Sequence, residues 1–280
     1  MSMICQREQL LLYAVTDRTW AARRAGAAQT AGARTEMRPK DGQEAGGKTV
    51  AAAESGRVRT EKSDTGAARD PVQEELLRQI RAALAGGITC LQLREKDLPR
   101  DALRQEAAAV RTLCSEAGVP LIIDDDVETA LACGADGVHV GQDDLPVAAV
   151  RQRTGPDFII GASAHNAAEA RRAWQEGASY LGVGAAFGSA TKHDARAIDW
   201  REYEEIRAAV PLPVVAIGGI TEENLPQLAS VPIDGIAVVS AVFGAADITA
   251  ACRRLRTRAA ALFGSAVPAD PSARAGNPRL

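Results

Sequence analysis

Apolar residues gather in short runs along the chain, and each run gives way to a longer stretch in which apolar positions recur every three or four residues. The runs are LLYAVT (11–16), ITCLQLR (88–94), VPLIIDD (119–125), GVHVGQ (137–142), FIIGASA (158–164), YLGVGAAF (180–187), VVAIGGI (214–220) and GIAVVSA (235–241). They are rich in β-branched and aliphatic residues and read as strands buried on both faces. The stretches between them read as amphipathic helices. VQEELLRQIRAALAGG (72–87) carries a Leu76, Ile80, Leu84 stripe and ends in a glycine pair that stops it. RDALRQEAAAVRTLCSEAG, NAAEARRAWQEG, DWREYEEIRAAV and DITAACRRLRTRAAALFG are of the same kind.

Eight strand-then-helix units in a chain of 280 residues predict a single (β/α)8 TIM barrel of the α/β class. An open doubly wound sheet is the alternative architecture. GADGVHV, GASYLGV and PIDGIAVV resemble one another, as one βα unit repeated would. The expected catalytic domain runs over 1–264 and is interrupted at 19–70, where Ala, Gly, Thr, Arg and Glu dominate and Trp20, Met37, Val50 and Val58 are the only large apolar residues. Such a composition buries too little surface to offset its ordering entropy, so 19–70 and the tail 265–280 are expected to be disordered or loosely attached.

Composition adds mainly exclusions. A net charge of -3 offers no electrostatic footprint for nucleic acid or anionic membrane, and no stretch reaches the roughly 20 apolar residues of a membrane span. No secretory signal pattern opens the chain, so a cytoplasmic location is expected. The five cysteines are scattered without a C-x-x-C pair, which argues against a zinc site or disulfide framework. Oligomeric state is left open.

In a (β/α)8 barrel the working residues gather at the C-terminal ends of the strands. Here those ends carry Gln92, Arg94, Glu95 and Lys96; Asp124, Asp125 and Asp126; Gln142, Asp143 and Asp144; Ser163 and His165; Ser189, Thr191 and Lys192; and GGIT (218–221) with Ser240. Arg94 and Lys96, two apart on a strand, share a face and suit a polyanionic ligand. Three consecutive aspartates repel unless something positive lies among them. Helix capping accounts for one of the three; carboxylates on neighbouring strands facing cations suggest Mg²⁺ shared with substrate phosphate. The glycine pair before an expected helix, with Ser240 one strand later, suggests a phosphate site. His139 and His165 read more simply as hydrogen-bonded structure than as required bases.

LYAVTDR, LQLREK, IIDDDVETALACGADGVHVGQDD, GASAH, TKHDAR, AIGGI and VVSA, in that order, resemble the thiamine-phosphate synthase family over 10–18 and 72–262. The resemblance implies a (β/α)8 barrel that joins 4-amino-5-hydroxymethyl-2-methylpyrimidine diphosphate to 4-methyl-5-(2-phosphoethyl)thiazole, giving thiamine phosphate and diphosphate. It implies small phosphorylated substrates as partners and Mg²⁺ as cofactor. It assigns Gln92, Leu93, Arg94, Glu95, Lys96, Asp124, Ser163 and Lys192 to the pyrimidine diphosphate, with Arg94, Lys96, Ser163 and Lys192 as the catalytic set. Asp125 and Asp144 fall on the metal ligands, and Ser189, Ala190, Thr191, Gly219, Val239 and Ser240 on the thiazole phosphate. Asp124 stands where the family usually has Asn, and Ser189 where Thr is common.

Departure of diphosphate would leave a pyrimidinylmethyl cation that the ring amino group delocalises. Stabilising the leaving anion is then the protein's main task, and no protein nucleophile is required. Two other readings compete. A thiazole tautomerase of the same barrel family would use a histidine and would not need Lys192 or both metal-site aspartates. A catalytically silent phosphate-ligand-binding barrel would not need the full set of cations and carboxylates.

Overall fold

The computed structural model describes residues 7–36, 70–188 and 197–264. Its eight strands are β1 (Leu12–Val15), β2 (Cys90–Leu93), β3 (Leu121–Asp124), β4 (Gly137–Val140), β5 (Ile159–Ala164), β6 (Tyr180–Gly184), β7 (Val214–Ile217) and β8 (Gly235–Val238). Each pairs in parallel with the next and β8 returns to β1, so the sheet is a closed barrel. The open sheet is thereby excluded, and all eight apolar runs are strands.

Helices α1 (Arg18–Glu36), α2 (Pro71–Gly86), α3 (Arg100–Ala117), α4 (Val127–Cys133), α5 (Val147–Thr154), α6 (Ala167–Gln175), α7 (Trp200–Ala209), α8 (Ser240–Phe243) and α9 (Ile248–Phe263) lie around it. Their sequences supply their own limits. Asp70 caps α2 by accepting from the Val72 N–H at 3.1 Å, Pro71 fixes the first turn, and Gly87 stops the helix at φ 88°. Leu76, Leu77, Ile80 and Ala83 then face the barrel, where most of the core lies between strands and helices. A second, smaller cluster fills the barrel itself and includes Tyr13, Val15, Cys90, Ile122, Ile159, Tyr180 and Val215.

The internal similarity has a structural cause at the N-terminal end of the barrel. Thr89, Asp136, Ser179 and Asp234 each immediately precede an even-numbered strand. Each uses its backbone N–H and its side-chain oxygen to grip one residue near the start of the preceding odd strand. Thr89 holds Leu12, Asp136 holds Leu121, Ser179 holds Ile160 and Asp234 holds Val214, at 2.7–3.0 Å throughout. Strand starts leave N–H groups that would otherwise be buried unpaired, and a short polar side chain at this one position satisfies them. Asp234 is also paired with Arg207 at 2.8 Å and Arg7 at 3.3 Å, and Asp136 with Arg111 at 2.7 Å.

Two expectations need correction. The loosely attached segment was expected to begin at residue 19, but 18–36 is helical, with Ala21 and Ala25 buried and Trp20 packed near Gly244. An alanine-rich stretch cannot build a core, yet it has high helix propensity and a small face that can lie close against existing structure. Residues 37–69 and 265–280 lie outside the described residues. The glycine pair after β7 leads into a 3-10 turn, Leu225–Leu228, and not into an α-helix. Asn224 ties the Gly219–Thr221 turn down just ahead of it, and Pro232 cannot continue a helix beyond it.

Arg18 ties α1 to the rest. Its guanidinium reaches Glu106 at 2.7 Å, Asp70 at 2.5 Å and Glu95 at 3.9 Å. Glu95 and Glu106 are almost fully buried and lie against each other. Burial, and then the Glu106 carboxylate, lifts Glu95 to about 8; burial lifts Glu106 as well, against the pull of Arg18. A single proton held between the two carboxyls satisfies both directions.

No helix among the described residues is long and apolar enough to cross a membrane. Among the described residues the cysteines form no disulfide, and burial pushes the Cys114 and Cys252 thiols up to about 12, so these two stay protonated.

Two stability measurements check this account. Asp234→Ala strands the Arg207 guanidinium and the Val214 N–H and is expected to cost about 3 kcal/mol in urea unfolding, whereas Thr89→Val costs about 1 kcal/mol; equal costs would show that the grip, and not the buried charge, dominates. Glu95 keeps in the folded protein a proton that the unfolded chain, titrating near 4.5, has already lost. Its contribution is therefore complete below about pH 4.5 and declines as pH rises towards about 8. Glu95→Gln is expected to flatten that decline in melting temperature, and an unchanged slope would mean that Glu95 titrates normally.

Candidate active site

Alternation along β2 and the residues after it sorts the LQLREK run into two faces. Gln92 points into the barrel, where its Nε2 donates to the Tyr13 hydroxyl at 2.9 Å. Leu93 packs among the helices, and Glu95 turns outward to Arg18 and Glu106. Of the five residues of this run expected on the pyrimidine diphosphate, Leu93 and Glu95 therefore do not turn their side chains to the mouth, because neighbouring positions on a strand point to opposite sides. Arg94 and Lys96 do face it. Thr16 holds this strand end in place by accepting from the Arg94 N–H at 2.8 Å.

Both cations meet the aspartates of the next strand. Asp124 Oδ2 lies 2.9 Å from Lys96 Nζ and 3.6 Å from Arg94 Nε, and Lys96 also contacts Asp125. Apart from these ion contacts, Asp124 Oδ2 is buried without a hydrogen bond. Asp125 has φ 58°, a left-handed conformation that an aspartate adopts at a cost. Asp126 turns back to cap α4, accepting from the Thr129 N–H at 2.9 Å. Asp124 and Asp125 thus share Lys96, with Arg94 beside Asp124, while Asp126 turns to the start of a helix, which is how the chain tolerates three carboxylates in a row.

Asp144, after β4, comes towards Asp125. The turn Gly141–Asp144 is closed by a 2.8 Å bond from the Gly141 N–H to Asp144 Oδ2. Burial, and then the Asp125 carboxylate, raises Asp144 above the usual carboxylate range. Two facing carboxylates at adjacent strand ends suit a divalent cation that takes its other ligands from substrate and water. Among the described residues no group of three or more His, Cys, Asp or Glu could hold a metal without such help.

Below the mouth a chain of hydrogen bonds crosses the barrel. From Gln92 and Tyr13 it continues to the Tyr180 hydroxyl at 2.9 Å, from Tyr180 to His139 Nδ1 at 3.1 Å, and from His139 Nε2 to Ser163 Oγ at 3.1 Å. Ser163 therefore lies where a strand-end residue should, and His139 stands directly behind it. His165 is outside this chain, half-exposed and bonded to Glu169 at 2.9 Å.

At the opposite side of the mouth Gly218 and Gly219 have φ 106° and 62° and press against the Phe187–Gly188 backbone. A side chain at Gly219 would stand 2.8 Å from the Gly188 carbonyl oxygen. Asn224 fixes the turn, donating to the Gly219 carbonyl at 2.8 Å and accepting from the Thr221 N–H at 2.8 Å. Ser240 opens the short α8 after Val239, whose side chain packs partly buried at the edge of the inner cluster. Ser189, Ala190, Thr191 and Lys192 lie outside the described residues. The sequence reading did not single out Thr16, Tyr13 or Tyr180. The signal available for the tyrosines was two of the chain's three tyrosines inside strand runs that otherwise carry aliphatic residues.

The comparisons with known proteins point to one family. The family model described as thiamine monophosphate synthase matches residues 65–242, more than half of the chain. The thiamine-phosphate synthase of Moorella thermoacetica is 48% identical over 181 residues, covering 64% of this chain and 86% of the relative. That of Chloroflexus aurantiacus is 51% identical over 178 residues, covering 63% and 82%. Among solved structures, a thiamine phosphate pyrophosphorylase from Pyrococcus furiosus superposes with a TM-score of 0.67 at 31% identity, over 92% of this chain and 99% of that one. With the barrel, the paired cations and the strand-end aspartates in place, the chain belongs to the thiamine monophosphate synthase family.

Proposed function

We propose that the mouth formed by the ends of β2, β3, β4 and β5 binds the pyrimidine diphosphate of the thiamine-phosphate synthase reaction, and that the β7–β8 corner binds the thiazole phosphate. The chain is a transferase of thiamine-phosphate synthesis acting on small phosphorylated substrates. The observation that carries the site reading is the convergence of Arg94 and Lys96 on Asp124 and Asp125, with Asp144 facing them from the next strand.

In this reading Arg94 and Lys96 leave their aspartate partners in part to take the diphosphate oxygens, and Lys192, from the loop after β6, joins them. Asp125 and Asp144 would hold Mg²⁺, which when bound supplies positive charge to the leaving diphosphate. Gln92 and Ser163 form the floor against which the pyrimidine ring lies. The positive charge that develops on the pyrimidine as diphosphate leaves is delocalised within the ring, and the thiazole nitrogen then attacks the methylene carbon. What this chain's residues contribute is a fixed set of charges at the leaving group and a fixed bed for the ring, the contribution that counts most when the bond breaks before the new one forms. At the other corner Gly218 and Gly219, Val239 and Ser240 bring backbone close to a phosphate, with Ser189 to Thr191 as the further contacts expected from the sequence.

Asp125→Asn and Asp144→Asn test the metal reading, Asn being a side chain that tolerates the left-handed backbone at position 125. Each is expected to lower thiamine phosphate formation about a hundredfold, to weaken Mn²⁺ binding in the presence of diphosphate, and to leave the melting temperature nearly unchanged. Normal turnover with an unaltered Mg²⁺ half-saturation would sink the assignment. Asp124→Asn tests the charge balance: with its carboxylate gone, Arg94 and Lys96 are freed for the ligand, and product inhibition by diphosphate should tighten roughly tenfold. Weaker inhibition in that variant at every Mg²⁺ concentration would show instead that the carboxylate itself recruits an essential cation.

A further inference from the structure

We propose that Tyr180, fully buried within the barrel, is a positioning residue for the transfer reaction: through His139 it fixes the direction of the Ser163 hydroxyl, and through Tyr13 it helps to fix the Gln92 carboxamide. The inference rests on the reading that Gln92 and Ser163 face the pyrimidine substrate. Five side chains from five strands take part, and their order along the hydrogen-bond chain is Gln92 on β2, Tyr13 on β1, Tyr180 on β6, His139 on β4 and Ser163 on β5.

The direction of the chain follows from counting protons. The Gln92 amide nitrogen donates to the Tyr13 oxygen. A phenol has one hydrogen, and in the proposed order Tyr13 gives its own to Tyr180, and Tyr180 gives its own to His139 Nδ1. Burial, and then the neighbouring Tyr180, holds the Tyr13 phenol well above its usual range, so it remains a donor at any working pH. An imidazole that accepts at Nδ1 carries its hydrogen on Nε2, and that hydrogen lies on Ser163 Oγ, 3.1 Å away. Ser163 already accepts from His139 and so turns its own hydrogen to the mouth. Gln92, with its nitrogen committed to Tyr13, offers its carbonyl oxygen. The floor of the site thus presents one donor and one acceptor, the complement of an aminopyrimidine edge that has a ring nitrogen acceptor beside an amino donor.

The sequence makes room for this chain at a cost in packing. A Cβ at Gly161 would collide with the Tyr180 ring and with His139 Nδ1, and one at Gly182 would come within 2.9 Å of His139 Cε1. Gly161 is the register partner of both Tyr180 and His139, and Gly182 is the partner of Ser163. Two strand positions without side chains therefore house the tyrosine and the histidine that set the serine.

The experiment compares Tyr180→Phe, Tyr13→Phe and Ser163→Ala with the natural protein, using nitrogen-15 NMR of the histidine ring and steady-state kinetics. The chain has three histidines, so a His139→Gln sample assigns the signal. The natural protein is expected to show His139 neutral with hydrogen on Nε2. Tyr180→Phe is expected to mix the two tautomers and to lower kcat/KM for the pyrimidine diphosphate about tenfold or more, with KM for the thiazole phosphate unchanged. Tyr13→Phe should give a smaller loss in the same parameter and serves if Tyr180→Phe fails to fold. Hydrogen on Nδ1 in the natural protein would overturn the proposed order. So would normal pyrimidine kinetics in Tyr180→Phe, or in Tyr13→Phe should that variant stand in for it, when Ser163→Ala is impaired. If Ser163→Ala is itself unimpaired, the site reading fails, and the tautomer measured by NMR still decides the order of the chain.

Discussion

A closed parallel barrel has a packed interior, and everything its interior holds must fit and be hydrogen-bonded. Two tyrosines occupy that interior here. Their rings supply bulk, but their hydroxyls cannot be left unpaired, so each binds the other and extends to Gln92 on one side and His139 on the other. Glycines at 161 and 182 give up their own packing to admit the tyrosine and the histidine. Space, hydrogen bonding and the floor of the site are therefore one constraint, because the chain that satisfies the buried hydroxyls ends on the residues facing the mouth.

The two ends of the barrel handle polar groups in opposite ways. At the N-terminal end Thr89, Asp136, Ser179 and Asp234 close off strand-start N–H groups, and two of them recruit arginines that complete the pairing. Charge there is balanced within the protein and reads as stability. At the C-terminal end the balance is incomplete. Asp124 and Asp125 share one lysine, Asp125 holds a left-handed backbone, and Asp144 is lifted by burial and by the carboxylate beside it. Incomplete pairing of this kind at a strand end is what a site for a charged ligand requires, since groups already satisfied have little to offer a substrate.

Arg18 links the site to a part of the chain that composition alone would dismiss. It lies at the start of an alanine-rich helix and reaches the buried Glu95–Glu106 pair behind Arg94 and Lys96. With Thr16 bonded to the Arg94 backbone, the first strand and its helix hold the cation-bearing end of β2 from two directions. The mouth is thus built on residues that do not touch the ligand.

The sequence by itself determined the eight strands, the barrel that they close, the family, and most of the strand-end residues, because strand runs, glycine stops and the order of motifs are local signals written over a few residues each. Arg94, Lys96, the three aspartates, Ser163 and the glycine pair were all legible from strand-end position alone. The tertiary structure decided which way each of these points. Leu93 and Glu95 belong to the same run as Arg94 and Lys96, yet only closure of the sheet shows which face becomes the interior. The helix at 18–36 could not be read because its small residues pack only when a partner surface is present. The Gln92–Tyr13–Tyr180–His139–Ser163 chain was the least legible feature, since its members are scattered over the first, second, fourth, fifth and sixth apolar runs. Contacts across a barrel depend on register and inward-facing phase in every strand at once, and no local pattern encodes them.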